Sequence, residues 1–334
     1  MEQALPTENQ VPRPTSAVPG ILRAVSLRLL FGVFSLIFIS FVVFLADEVS
    51  PGDAATVQAG DKASIAQVEQ LREQLGLNRP WPTRYAEFLA KAVRLDFGKS
   101  YYGTKRNVRE MIREKLPMTA TLALSAIFIA AFVGLTFGTF AAIYRTKPPD
   151  TLVLVLSTLG VTVPTFVLAP ALVYYFSTKM DILPPAWEVN LRAPIWMYLL
   201  LPVGILSARP SALLTRVTRA SMIETFQQEF IRTATAKGVP PGRLIIRHAL
   251  RNAVLPVITV VGTSFGFLLT GSFVLETIFT IPGIGQEGID AILLGDMPRI
   301  QGIVMTTGFM FLLLNLMVDI LLPLLDPRIR EAQV

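Results

Sequence analysis

The sequence predicts an all-α polytopic membrane protein with six transmembrane helices and a small external subdomain after the first. Hydrophobic residues make up 52% of the 334-residue chain and charged residues 16%, with a mean hydropathy of +0.54, unlike the mix of a soluble domain. Apolar runs approaching the ~20 residues needed to cross a bilayer recur along the chain. The Lys/Arg excess also falls in alternate short loops, as the positive-inside bias requires.

Residues 1–20 are polar, contain four prolines and read as a disordered cytoplasmic tail. The first helix is expected over 21–46. Its run from Leu29 to Ala46 has no charge for eighteen residues and follows Arg23 and Arg28, so its N-terminus belongs inside. Residues 47–115 form the long hydrophilic stretch, with helical signals over Ser64 to Leu75 and Pro82 to Leu95 and turn signals at Pro51-Gly52 and Gly98. It reads as the external subdomain, since loops longer than about 60 residues translocate largely regardless of charge.

Residues 116–334 then hold five more spans. The second, Pro117 to Ile143, carries Gly134 and Gly138, and the fifth, Val254 to Leu275, carries Gly262 and Gly266. Each GxxxG pair lets a neighbouring helix approach closely. The loop Tyr144 to Asp150 is basic and therefore cytoplasmic. Span three, Thr151 to Phe176, contains Pro164 and Pro170, both expected to kink it. Span four must pass Arg209 to reach bilayer length, which makes Arg209 an intramembrane charge able to snorkel to the interface.

The segment Glu276 to Ile300 is too polar to span and reads as a re-entrant or external hairpin, with turns at Pro282-Gly283 and Gly285. Its Glu276, Asp290 and Asp296 are candidates to meet substrate ammonium groups, the alternative being that they cap turns. In the last span, Gln301 to Leu325, Asp319 is a second structural charge, expected to pair with an arginine of the central island. Both termini are placed in the cytoplasm, with the chain in the cytoplasmic (inner) membrane.

That island is the chain's most informative stretch. From Arg209 to Arg251 eight Lys/Arg stand against Glu224 and Glu229 only, marking a cytoplasmic loop over 215–252. Gly238 suits the left-handed position after a helix ending near Lys237, and Pro240-Pro241 suit the first turn of a second helix. At α-helical spacing Arg243, Arg247 and Arg251 share one face, and Leu244, Ile245, Ala249, Asn252 and Ala253 lie opposite. The second helix should lie near the bilayer surface and end before Val254 begins a span.

Several functions are excluded. The net charge of +6 and pI near 9.7 reflect basic loops beside spans rather than nucleic-acid binding. With no cysteine and one histidine, His248, thiolate, disulfide and histidine-cluster metal chemistry are closed to the chain. No phosphate loop is present: the nearest string, Gly266 to Ser272, lacks the lysine. HExxH and GxSxG motifs are missing too, so no catalytic residue is assigned.

The wording RTATAKG (232–238) and RHALRNAVLP (247–256) resembles the coupling loop of ABC-importer permeases, of the dipeptide/oligopeptide subgroup in particular. The generic loop begins Glu-Ala-Ala where this chain reads Arg232-Thr233-Ala234. LGLNRPWPTRYAEFL (75–89), LDFGKSY (95–101), ETIF (276–279), PGIG (282–285), GDMPRIQG (295–302) and DPRIR (326–330) are similar to the same family. The resemblance implies a type I ABC-importer permease fold. It also implies an ATPase-coupling surface at Arg232, Thr233, Ala234, Lys237, Gly238, Val239, Pro240, Pro241, Gly242, Arg243 and Arg247.

The partners so implied are a second permease subunit, two ABC ATPase subunits that carry ATP and Mg, and an extracytoplasmic substrate-binding protein delivering peptide. Glutathione or nickel are alternative cargoes within the family. A self-sufficient channel or ion-coupled transporter is the competing class, but no internal repeat is visible and the ionisable candidates sit near span ends. An assembly factor with no transport path is the third.

Overall fold

The computed structural model describes residues 18–49, 54–60 and 63–325, with side chains from residue 26 onward except 319 and 321–325. Among them are no strands. Helix α1 (Val18–Val49) is followed by three short helices, α2 (Ala54–Ala59), α3 (Ile65–Gln74) and α4 (Trp81–Val93). Ser64 opens α3 with a reciprocal capping box to Gln67. The long helices α5 (Val108–Ile143) and α8 (Ile195–Phe226) flank a broken pair, α6 (Pro148–Thr162) and α7 (Thr165–Val173), the latter extended by a π-turn over Tyr174–Lys179. Beyond α8 come α9 (Glu229–Ala236), a short α10 (Pro241–Arg243), a π-segment (Leu244–Leu250) and α11 (Arg251–Ile278). α12 (Ile284–Leu294) and α13 (Met297–Leu325) complete the described chain.

Five described helices are long and apolar enough to cross a membrane, or six if the broken pair counts as one span. Span three is more than kinked. Val163 and Pro164 are extended and the two halves meet at 102°. The pyrrolidine ring disfavours helical backbone at the residue before it, so the break sits at Val163. Pro170 lies inside α7 and does not end it.

The bundle is organised on two glycine-mediated helix pairs, one within each expected GxxxG face. A Cβ at Gly134 would overlap Leu214 of α8, and one at Gly138 would lie 2.5 Å from Thr218 Cβ and 2.7 Å from the Thr215 carbonyl oxygen. On α11, Gly262 faces Val318 and a Cβ at Gly266 would lie 2.5 Å from the Phe311 ring of α13. Small residues matter here because bilayer lipid gives helices no hydrophobic reason to associate and close packing supplies the attraction. Leu122, Ala123 and Ala126 of α5, Ala169 of α7, Ile205 and Leu206 of α8, and Leu268 and Leu275 of α11 form the core between the pairs.

α1 lies at the edge against α13, its outer face carrying exposed Phe31, Phe34 and Phe38. α4 rides on its last turns. Phe41 stacks edge-on against Tyr85 at 5.6 Å, and the Tyr85 hydroxyl is 2.9 Å from Ser40 Oγ.

Three expected boundaries move. α11 joins α10 through the π-segment in one 38-residue rod, Pro241–Ile278, so the island's second helix is the start of span five rather than a separate surface helix. No glycine follows Gly242 before Gly262, and Pro256 sits inside α11 without breaking it. Glu276 belongs to α11, the hairpin is a five-residue turn followed by α12, and the last span begins at Met297. Gly285 lies within α12, packed on Phe273, rather than in a turn. The terminal DPRIR, the turn Pro51-Gly52 and residues 1–17 lie outside the described residues.

Candidate functional site

The basic island forms a compact unit at the end of the bundle where α5 stops and α6 begins. α9 ends at Lys237, and Gly238 takes the left-handed backbone, φ +76°. The Gly238 N–H donates to the Thr235 carbonyl at 2.9 Å and the Val239 N–H to the Ala234 carbonyl at 3.2 Å, the paired bonds of a Schellman closure. Pro240 then caps α10 and Pro241 fills its first position, where a missing N–H costs nothing.

Ile231 and Ala234 bury one side of α9 against Ala142, Met222, Ala249 and Ala253 from α5, α8, the π-segment and α11. Of the expected coupling residues, Ala234 is therefore an anchor and Val239 is half-buried. Arg232, Thr233, Lys237, Gly238, Pro240, Pro241, Gly242, Arg243 and Arg247 are exposed around the turn. The shared face of Arg243, Arg247 and Arg251 changes in one respect. Leu244–Leu250 is π-helical, with more residues per turn than an α-helix, so four residues no longer close a turn. All three arginines remain exposed.

Beside this unit is a pair that sequence reading missed. Arg219 of α8 holds Asp150 of α6 through both carboxylate oxygens at 2.6 and 2.7 Å, and the Thr146 N–H adds a third bond at 3.0 Å. Asp150 is 3% exposed. The available signal was an aspartate straight after Pro148-Pro149 at the start of an apolar run. Arg209 is exposed on α8. Asp319 lies on α13 but its side chain is outside the described residues, so its expected pairing stays an expectation.

At the opposite end the three acidic candidates separate. Glu276 has no exposed surface. Its Oε2 accepts the Gly285 and Gln286 N–H groups at 2.7 and 3.2 Å, while Thr119 of α5 accepts the Ile284 N–H at 2.9 Å. Side chains of two other helices thus satisfy the first N–H groups of α12, an N-cap supplied from outside it. Only glycine fits at 283, since a Cβ there would overlap Glu276.

Asp296 is also fully buried, accepting from Ser100 Oγ at 2.5 Å, the Tyr101 N–H at 3.2 Å and Arg299 Nε at 2.5 Å. Arg299 reaches on to Glu287 at 2.7 Å. Asp290 alone of the three is exposed. No group of three or more His, Asp or Glu able to hold a metal occurs among the described residues.

Residues 134–331 match the family of binding-protein-dependent transport system inner membrane components, and residues 21–123 match the N-terminal part of such components. A putative peptide transport system permease protein of Brucella abortus is 40% identical over 88% of this chain and 95% of its own length. The glutathione transport system permease protein GsiC of Escherichia coli K12 is 35% identical over 93% and 99%. Among solved structures, the inward-facing MetNI methionine ABC transporter covers 67% of this chain and 96% of its own at TM-score 0.47 and 15% identity, too distant to carry an argument. By the extent of the family match and of these relatives, the chain belongs to the binding-protein-dependent transport system inner membrane components, as a multi-pass permease subunit of the peptide-type ABC importers.

Proposed function

We propose that the chain imports short peptides across the inner membrane and is driven by ATPase subunits that dock on the turn around Gly238. The observation that carries this reading is the unit built from α9, the Schellman closure and the π-segment. Its buried side is tied to α5, α8 and α11, and its exposed side presents Arg232, Lys237, Arg243 and Arg247. A soluble partner gripping that side moves α5, α8 and α11 together. ATP and Mg belong to a pair of such partners, a second permease completes the pathway, and a binding protein delivers peptide at the α12 end.

On this reading the Gly238 turn and both termini lie in the cytoplasm and α2 to α4 outside, in keeping with the basic loops. Peptide as cargo is supported by the names of the relatives, a peptide permease and a glutathione permease, glutathione being itself a short peptide. The test is reconstitution of the purified importer in vesicles, comparing wild type with an R243E/R247E variant. ATP hydrolysis uncoupled from peptide uptake supports the docking surface, and unchanged uptake removes it. Reporters fused near Gly60 and after Val334 should read outside and inside.

A further inference from the structure

Between α1, α4, the Asp96–Lys105 stretch and the start of α13 lies a cavity of about 460 Å³, inside the ~300–1,000 Å³ range of small-molecule sites. Its floor is aromatic. Phe97 is buried and Phe88 half-buried, and both pack on Val108 at the foot of α5. Its walls carry both signs of charge: Lys91, Lys99 and Lys105 on one count, Asp47 and Asp96 on the other.

The three lysines form no ion pair with the two aspartates among the described residues. Asp47 takes its hydrogen bond from Gln301 at 3.1 Å and Asp96 from the Gly98 N–H at 3.1 Å. Arg84 and Glu87, also in the lining, pair with Glu48 and Arg79, and the Arg84 guanidinium also acts on Asp47 and donates to the Leu77 carbonyl at 3.3 Å. Lys91, Lys99, Lys105 and Asp96 are exposed, so each is free to turn toward a solute in the cavity.

We infer that this cavity binds a small zwitterion with an apolar middle, namely a short peptide with free termini. The ammonium end meets Asp47 and Asp96, the carboxylate end meets the lysines, and side chains lie over Phe88 and Phe97. A phosphate-bearing solute would use the lysines and leave the two aspartates opposed to it. The inference rests on the peptide reading above and adds a second contact point for cargo, on the permease itself, at the end of the bundle remote from the Gly238 turn.

The chain has no cysteine, so Gln58→Cys, on α2 in the cavity lining, gives it a single thiol. The test follows maleimide labelling of that thiol on this chain, in the assembled importer without its binding protein. Tri-alanine at three times its Kd should slow labelling about fourfold. N-acetyl tri-alanine and tri-alanine amide should protect far less, and K99E/K105E should abolish protection. Equal labelling with and without tri-alanine overturns the site, as does equal protection by inorganic phosphate. Uptake of tri-alanine with the binding protein restored separates the two claims. Uptake without protection removes only this site, whereas no uptake of any peptide removes the peptide reading and this inference with it.

Discussion

Arg219 closes a two-point fork on Asp150, Nε and Nη2 lying 2.6 and 2.7 Å from the two carboxylate oxygens, across 69 residues of chain. Asp150 is almost wholly buried, with Arg145 the other positive charge acting on it. Removing Arg219 takes two of the three hydrogen bonds from Asp150, leaving the Thr146 N–H alone, and breaking a buried pair in this way costs about 3–5 kcal/mol. R219A should therefore lower the melting temperature of the detergent-solubilised chain markedly. R219K should recover only part, since a lysine cannot reproduce the fork. D150A/R219A should be milder than R219A, and an equal melting temperature for all three would falsify the pair's structural role.

The α5–α8 contact predicts a sharp position dependence for glycine replacement. Gly138→Leu forces a side chain into Thr218 and the Thr215 carbonyl, and overpacking of this kind costs about 1–3 kcal/mol or more. Gly204→Ala, with nothing within 4 Å of its added Cβ, should be silent. The check is yield of monodisperse protein from the membrane, with both variants expressed side by side.

At Gly238 the cost is conformational rather than steric. No atom lies within 4 Å of a Cβ built there, but φ is +76°, and left-handed backbone costs a non-glycine residue about 1–2 kcal/mol. Gly238→Val should leave the bundle folded and distort the closure. In reconstituted importer the expected result is ATP hydrolysis that no longer tracks uptake. Gly238→Asn, which tolerates the left-handed region better, should retain more coupling.

Glu276→Ala should orphan the Gly285 and Gln286 N–H groups, at about 1–3 kcal/mol for buried donors left unmet. Hydrogen exchange of the first turn of α12 should rise, while that of α5 near Gly138 should not. Glu276→Gln keeps an acceptor for the same groups and should exchange close to wild type. Exchange in α12 unchanged by the alanine variant would show that its first turn does not depend on Glu276.

Much of the fold was legible because apolar run length and loop charge report spans directly. Gly134, Gly138, Gly262 and Gly266 mark helix contacts, and Gly238 with Pro240 and Pro241 marks the turn, because those residues act through local backbone geometry. The misses have a common cause. Val163 breaks span three more sharply than a kink, and Leu244–Leu250 threads the island into α11 without a gap. Pro164 sets where span three breaks, but how far it turns there, and whether the island runs on into α11, depend on what neighbouring helices will accommodate. Asp150 with Arg219, and Glu276 with Gly285, are partnerships made by packing, which periodicity does not display. Glu276 and Asp296 attracted notice as acids in a glycine-rich segment, and the structure turns both inward.

The 38-residue rod from Pro241 to Ile278 has a mechanical implication. At about 1.5 Å per residue it reaches some 55 Å, from the turn that follows Gly238 to the carboxyl that seats α12. Nothing along that distance is a loop able to absorb slack. A tug at one membrane face therefore arrives at the other as a tilt or twist of a single lever, delivered to the root of α12.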